Sequence, residues 1–440
     1  MGQLQAARAA PKLPLKFAEP LNPKLYNLIG PIFARAKPMA KRILADYPIE
    51  EYKRRNERAK ELMEKHGIDA LLLFSGKNNY YYGSFRITGA LNFMRAVIVP
   101  RDGEAVVFVP GEYYRCALLS SWVPEENVIK WEEHPLHKLE APVDKLANAV
   151  KDMGLSNKVI GLELGLGMYL DSVTVSEYEG VKKKLPNAKF VDATDMIWEQ
   201  RKIKTPWEQD VMRKLGEIAA LSFKAGLEFV REGATERDLL KVINKTAVEL
   251  GAHDCPMEGG IPTRTHPRGV YTPAFIGRAG EHVYKEGDMI MLDGGPCYKG
   301  YYSDMQRQAV IGKPTELVKK LCKQALIGWE AAHEIVKPGT KISDLFDKPV
   351  EAMAKYNPEV KEMPWSFMGH NIGLQTHEPP YLTKDEKSVL EPGMVLTVET
   401  PGYDIPKWRE MGCYPEDIYL VTEDGCEILT DKCPRELWVK

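Results

Sequence analysis

Five residues carry side chains that could act together: Asp293, Asp304, His370, Glu399 and Glu416. The two aspartates lie eleven positions apart and flank Gly294, Gly295, Pro296 and Gly300, a run rich in turn-formers. Alternation at period two over residues 288–293 sets Met289, Met291 and Asp293 on one strand face and Ile290 and Leu292 on the other. A return strand over residues 301–310 would make a hairpin with Asp293 and Asp304 side by side at one end of a sheet. Two carboxylates so placed repel each other and need a metal ion, a shared proton or a basic partner. Taken alone, such a pair is more often two solvated loop acids, so the weight falls on the other three residues.

His370 is bracketed by Gly369 and Gly373, Glu399 ends the apolar run from Met394, and Glu416 opens another that reaches Val421. A charge embedded in an apolar strand is costly unless it is paired or bound to metal. The four carboxylates sum to a charge of about −4, which two divalent cations would neutralise. With one imidazole the set is oxygen-rich. It suits manganese, iron(II) or cobalt more than structural zinc, which prefers Cys and His. Paired ions about 3.5–4 Å apart can activate water and polarise a carbonyl at once.

The elements that must position these residues follow Thr205-Pro206-Trp207-Glu208. Thr as cap, Pro at the first helical position and Glu three residues on make a strong helix start. Helices are expected over 206–230 and 236–250, then the hairpin, then helices from Thr315 to about Val336 and from Ile342 to Tyr356. Strands at 393–400 and 417–422 close the chain. Before Thr205, residues 46–204 read as an α/β domain. It opens with a helix from Ile49 to Lys65, striped by Tyr52, Ala59, Leu62 and Met63 and ended by Gly67. Strands near 70–74, 96–100 and 105–109 follow, and then helices (142–153, 173–184) alternating with strands (158–163, 189–192). Tyr80, Tyr81 and Tyr82 before Gly83 read as core or interface rather than as a pocket. Residues 1–45 are punctuated by Asn22-Pro23 and Lys37-Pro38 and read as an extended arm.

Composition bounds the rest. A chain of 440 residues exceeds one ordinary core, and 44% hydrophobic with 28% charged residues is typical of a soluble protein. A net charge of −2 gives no reason to expect nucleic acid or an anionic membrane as the main partner. No apolar run approaches the roughly 20 residues that span a bilayer, and the first residues lack the apolar core of a signal peptide. Seven scattered cysteines without a close pair favour free thiols in a reducing compartment, so the cytoplasm is expected.

Four stretches make a specific resemblance. Asp293-x-Gly295-x₄-Gly300-Tyr301-x-Ser303-Asp304-x₂-Arg307 resembles the first motif of the pita-bread metallohydrolases, which include aminopeptidase P, prolidase, methionine aminopeptidase and creatinase. Gly369-His370-x-Ile372-Gly373-Leu374-x₂-His377-Glu378-x-Pro380 resembles the second. Glu399-Thr400-Pro401-Gly402 and Glu416-Asp417-x₂-Leu420-Val421-Thr422 resemble the third and fourth. The resemblance implies an α+β chain, with a pita-bread catalytic domain (205–440) preceded by a smaller creatinase-N-like α/β domain (46–204). It implies that Asp293 binds one metal, that Asp304 and Glu416 bridge two, and that His370 and Glu399 bind the other. Glu399 would also serve as general base, and His377 would contact the substrate and stabilise an oxyanion.

The pattern breaks in places. The His that the peptidases carry about seventeen residues before the first Asp is Ile276 here, with His266 and His282 as nearby candidates. A longer loop could carry His266 into that space or leave it on the surface, and Arg264 and Arg268 beside it could receive a substrate carboxylate or simply be solvated. Tyr414 replaces an Arg common two residues before the last ligand, Gln306 replaces a Thr, and Thr400 follows Glu399 where Pro is usual. The leading expectation is a dinuclear hydrolase of C–N bonds with an Xaa-Pro peptide substrate. It would form a homodimer, with the N-terminal domain as dimerisation and lid element. A creatinase-like or ectoine hydrolase-like enzyme acting on a small nitrogenous compound is the nearest rival. A sulfonium lyase would carry an Asp where Gly295 stands, and an inactive binding module would have no need to keep all five ligands.

Overall fold

The computed structural model describes residues 46–85, 93–131, 140–165, 173–253, 264–266, 280–363, 366–402 and 414–440. Helix α1 (Ile49–His66) buries the expected stripe of Tyr52, Ala59, Leu62 and Met63, together with Glu51, Arg55 and Asn56. Gly67 closes it at φ 67°, a left-handed conformation in which a Cβ would be strained. Strand β1 (Ala70–Leu73), helix α2 (Gly76–Gly83) and strands β2 (Ala96–Pro100) and β3 (Val106–Pro110) come next. Then follow α3 (Tyr114–Ser120), β4 (Val128–Trp131), α4 (Glu140–Asp152), β5 (Val159–Leu162), α5 (Val175–Lys184), β6 (Lys189–Asp192) and α6 (Thr194–Arg201).

The six strands form one sheet in the order β4-β3-β2-β1-β5-β6. Leu71, Leu73, Val97 and Val107 pack with α1, whereas Leu72, Ile98 and Phe108 pack with Leu146 and Val150 of α4 and Val181 of α5. Helices on both faces explain why these strands read as unbroken apolar runs. The three consecutive tyrosines sit in a helix rather than before a turn. All three are buried in the chain's own apolar cluster, as the core reading requires.

Thr205 caps α7 (Pro206–Phe229) with the reciprocal bonds expected between it and Glu208, and Thr235 caps α8 (Glu236–Glu249) in the same way with Asp238. After the short β7 (Arg264–His266) comes the hairpin of β8 (Met289–Gly294) and β11 (Met305–Val310), paired antiparallel with Gln306 opposite Asp293. The return strand is not continuous from Tyr301. Instead β9 (Cys297–Tyr298) and β10 (Tyr301–Tyr302) form a separate ribbon across Lys299 and Gly300, both at positive φ, the two-residue turn whose twist suits a hairpin. Ser303 folds back onto the Pro296 carbonyl and leaves Asp304 just before β11.

Helices α9 (Glu316–His333) and α10 (Asp344–Tyr356) precede β12 (His370–Asn371), β13 (Glu378–Tyr381), β14 (Val395–Glu399), β15 (Glu416–Val421), β16 (Cys426–Ile428) and β17 (Trp438–Val439). The second sheet runs β13-β12-β14-β15-β11-β8-β7, with β16 on β15 and β17 on β11. Ile290, Leu292, Met305 and Ala309 pack on Phe223 and Leu227 of α7 and Leu239 and Ile243 of α8, and Leu396, Val398 and Tyr419 pack on α9 and α10. One apolar cluster, from α1 through Val211 and Leu215 of α7 to Ile418 and Leu420, is continuous across both halves of the chain.

Candidate metal centre

Four of the five residues are set by a strand, and Asp304 by the turn that precedes one. Glu399 ends β14 and Glu416 begins β15, and the two are direct antiparallel partners, so their carboxylates share one face. Asp293, next to last in β8, faces Gln306 in register, and Asp304 reaches the same place from the segment between β10 and β11. His370 opens β12 on the far side of β14. Its neighbour Gly369 has φ 141°, and a Cβ there would lie 2.1 Å from the Thr397 carbonyl oxygen. Only glycine lets β12 come this close to β14.

Ligand-type atoms of Asp293, Asp304 and Glu416 lie within 4.8 Å of one another, and so do those of His370, Glu399 and Glu416. The two groups share Glu416. His370 Nε2 stands 3.6 Å from Asp304 Oδ2, 3.8 Å from Glu399 Oε1 and 3.9 Å from Glu416 Oε1, all too long for hydrogen bonds. Its Nδ1 lies 2.9 Å from the Asn371 carbonyl oxygen, which can only accept, so Nδ1 carries the proton and Nε2 presents a lone pair. That Nε2 is buried and makes no hydrogen bond among the described residues.

The electrostatics test whether a divalent ion fits. Burial, followed by Asp293 and Glu399, holds the Asp304 carboxyl well above its ordinary range. Burial raises the Glu399 carboxyl to about 8, although the Tyr414 hydroxyl pulls it down. Burial, then Asp304, Glu399 and Asp293, raises Glu416 as well. Burial, then His377, keeps the His370 imidazole neutral. Buried acids that resist ionising together, around an imidazole lone pair with no donor, are the donor set that a hard or borderline cation satisfies. Ligands about 2.1 Å from one ion stand about 3–3.5 Å apart, close to the spacings found here. The residues fit a divalent metal.

His377 stacks on His370 with ring centroids 3.8 Å apart, and its Nε2 lies 3.6 Å from Asp304 Oδ2. Its side chain is 38% exposed against 1% for His370, so it borders the open side of the cluster. The other expected histidines are placed differently. His282 Nε2 pairs with Asp288 Oδ2 at 2.8 Å, just before β8, whereas Asp293 is near the far end of that strand, about 16 Å on. The backbone of His266 lies opposite Met289, at that same distant end, and its side chain lies outside the described residues, as does Ile276.

Several contacts were not legible beforehand. Tyr414 Oη donates to Glu399 Oε2 at 2.8 Å. Arg307, fully buried, donates to the Glu416 carbonyl at 2.7 Å and to Asp417 Oδ1 at 2.6 Å, tying β11 to β15 behind the site. Arg201 of α6 forms a buried ion pair with Glu378, next to His377, and Lys204 reaches the other oxygen of Glu378 at 3.3 Å. A buried Arg demands a carboxylate partner, so Arg307 within its motif was a usable signal for Asp417. Nothing in the sequence pairs Arg201 with Glu378 across 177 positions.

Residues 210–423 match the model for metallopeptidase family M24, and residues 55–203 match the creatinase/prolidase N-terminal domain. Over 87% of its length the chain is 30% identical to 99% of an Xaa-Pro dipeptidase from Pyrococcus horikoshii. The chain belongs to metallopeptidase family M24. An ectoine hydrolase from Halomonas elongata is 27% identical, over 89% of this chain and 98% of that protein. The solved structure of an Xaa-Pro dipeptidase from Bacillus anthracis superimposes with a TM-score of 0.73 at 25% identity, covering 88% of this chain and all of that one. The M24 protein is thus a metal-dependent hydrolase with a creatinase-type domain before a pita-bread domain.

Proposed function

We propose that this M24 chain is an Xaa-Pro peptidase, hydrolysing the bond between an N-terminal residue and proline in short peptides. The observation that carries this reading is the nearly full-length similarity to an Xaa-Pro dipeptidase in a chain that keeps all five ligand-type residues in one buried cluster. We assign Asp293 to one ion, Asp304 and Glu416 to both, and His370 and Glu399 to the other. Two divalent ions held there, manganese foremost with iron, cobalt or zinc as alternatives, would polarise the scissile carbonyl and supply a nucleophilic water near neutral pH. Glu399 serves as the base for that water's proton. Burial lowers the His377 pKa, so its ring is neutral near pH 7 and can donate one proton to a substrate oxyanion from the open side. His266 stays a substrate-side candidate through its place in the sequence alone, and its backbone pairing with Met289, at the end of β8 away from Asp293, speaks against it.

The domain boundary is set at residues 204 and 205, with the N-terminal domain as dimerisation and lid element in a cytoplasmic homodimer. A single 49.7 kDa species in sedimentation would remove the dimer. No helix among the described residues is long and apolar enough to cross a membrane.

The deciding experiment is a substrate panel on manganese-loaded protein: Xaa-Pro dipeptides and tripeptides beside ectoine, creatine and a sulfonium zwitterion. Cleavage of Xaa-Pro substrates that chelation abolishes is expected. Turnover of ectoine with no Xaa-Pro cleavage at full metal occupancy would overturn the peptidase reading, and less than one bound metal would overturn the hydrolase site itself.

A further inference from the structure

Glu399 has two oxygens with different surroundings. Oε1 is the one near His370 Nε2, at 3.8 Å, within the ligand cluster. Oε2 accepts a hydrogen bond of 2.8 Å from Tyr414 Oη. Tyr414 lies two residues before Glu416, the cross-strand partner of Glu399, so the phenol reaches back over the very pairing that brings the two carboxylates together.

The Tyr414 backbone is itself held. Strands β11 and β15 pair antiparallel at Gln306 and Glu416. Two residues along β11, on the same face as Gln306, Gln308 continues that ladder with its side chain. Its amide oxygen accepts from the Tyr414 N–H at 2.5 Å, and its amide nitrogen lies 3.3 Å from the Tyr414 carbonyl oxygen and 2.9 Å from Gln306 Oε1. Gln308 is 1% exposed and Gln306 4%, so water does not compete for these bonds. A side-chain amide thereby does what a further pair of backbone groups would do, and it fixes the start of the Tyr414 side chain.

We propose that Tyr414, held by Gln308, is the positioning residue for Glu399. The phenol fixes Oε2 outward so that Oε1 alone faces the ions, and it does so without adding a positive charge. An Arg in its place would add a positive charge to a site whose four carboxylates balance two divalent ions. A phenol leaves that balance intact while still fixing the carboxylate's rotation. Partners of this kind set ligand orientation, and their removal typically costs about 10–100-fold in metal affinity or activity.

This inference rests on assigning Glu399 to the metal site, and the test separates the two. Manganese is titrated calorimetrically into metal-free parent, Tyr414→Phe, Gln308→Leu, the double variant and Glu399→Ala, and steady-state kinetics follow on the loaded proteins. For Tyr414→Phe we expect manganese Kd to rise and kcat to fall, each about 10-fold or more, with KM within about twofold and the melting temperature of the metal-free protein unchanged. Gln308→Leu should shift both in the same direction, and the double variant should be no worse than Tyr414→Phe, because Gln308 acts through Tyr414. Parent-like Kd and kcat in Tyr414→Phe overturn the proposal, as does a rise in KM alone. Fully additive losses overturn the part played by Gln308. If Glu399→Ala binds manganese as the parent does, the site assignment fails instead.

Discussion

Four carboxylates and one imidazole within a few ångströms can coexist in a protein interior only if something takes up the charge. The metal-free chain does so with protons, since burial pushes Glu399 to about 8 and raises Asp304 and Glu416 too. In the window from the ordinary carboxyl pKa of 4.5 up to about 8, the folded metal-free protein retains a proton on Glu399 that the unfolded chain has released. Its stability should therefore fall as pH rises through that window. Thermal unfolding of chelated protein from pH 5 to 8.5 checks this, and a melting temperature that climbs across the range would contradict it. Asp304 belongs with both the Asp293 and the His370 sides of the cluster. Asp304→Ala should reduce bound metal by at least one equivalent and lower turnover by more than about 100-fold, measured by metal analysis beside a peptidase assay.

Strands and turns do the positioning. The direct pairing of Glu399 with Glu416 fixes one carboxylate pair, and the break at Ser303 lets Asp304 approach Asp293 although Gln306 is the residue in register. A continuous return strand would have sent Asp304 past the end of β8. On the other side of β14, Gly369 allows β12 to come close enough for His370 to face the acids. Gly369→Ala would set a Cβ 2.1 Å from the Thr397 carbonyl oxygen at a φ of 141°. We expect a loss of about 1–3 kcal/mol and weaker manganese binding, because β12 must move away and take His370 with it. Parent-like melting and parent-like titration would show that the strand can yield.

At the scale of the molecule, the two halves are joined by polar groups as well as apolar ones. Arg55 of α1 is buried against the rings of Tyr81 and Tyr47 at 4.3 and 4.7 Å, bonds Glu51, and reaches Tyr301, whose hydroxyl donates to Glu208. Arg201 does the same work at Glu378. Burial alone would raise the Glu378 carboxyl, but Arg201 and Lys204 outweigh it and keep it ionised. Burial lowers the Lys204 ammonium even beside that carboxylate, since Lys204 shares it with Arg201. Arg201→Met leaves Glu378 with the Lys204 ammonium and the Gln375 N–H but without its closest cation, and should cost about 3 kcal/mol in thermal or denaturant unfolding. Adding Glu378→Met should recover much of that loss. If the single variant is as stable as the parent, this pair does not join the domains.

The chain's own order of residues determined a good deal. Periodicity and caps located α1, α7 and α8, whose stripes and Thr caps are local features that tertiary contacts only confirm. Glu399 and Glu416 were visible because charges inside apolar strands have few other uses, and Asp293, Asp304 and His370 gained weight from the motifs around them. The sequence also showed that Tyr414 stands where an Arg is common. What it could not show was which side chains outside the ligand set meet when distant segments come together. The contact of Tyr414 with Glu399, the bracketing of its backbone by Gln308, and the ion pair of Arg201 with Glu378 each join residues 15 to 177 positions apart. Side-chain type and spacing specify the local conformation, because its energetics lie within a few neighbouring residues. Which acid meets which donor is decided by strand register and domain packing, and those exist only once the whole chain has folded.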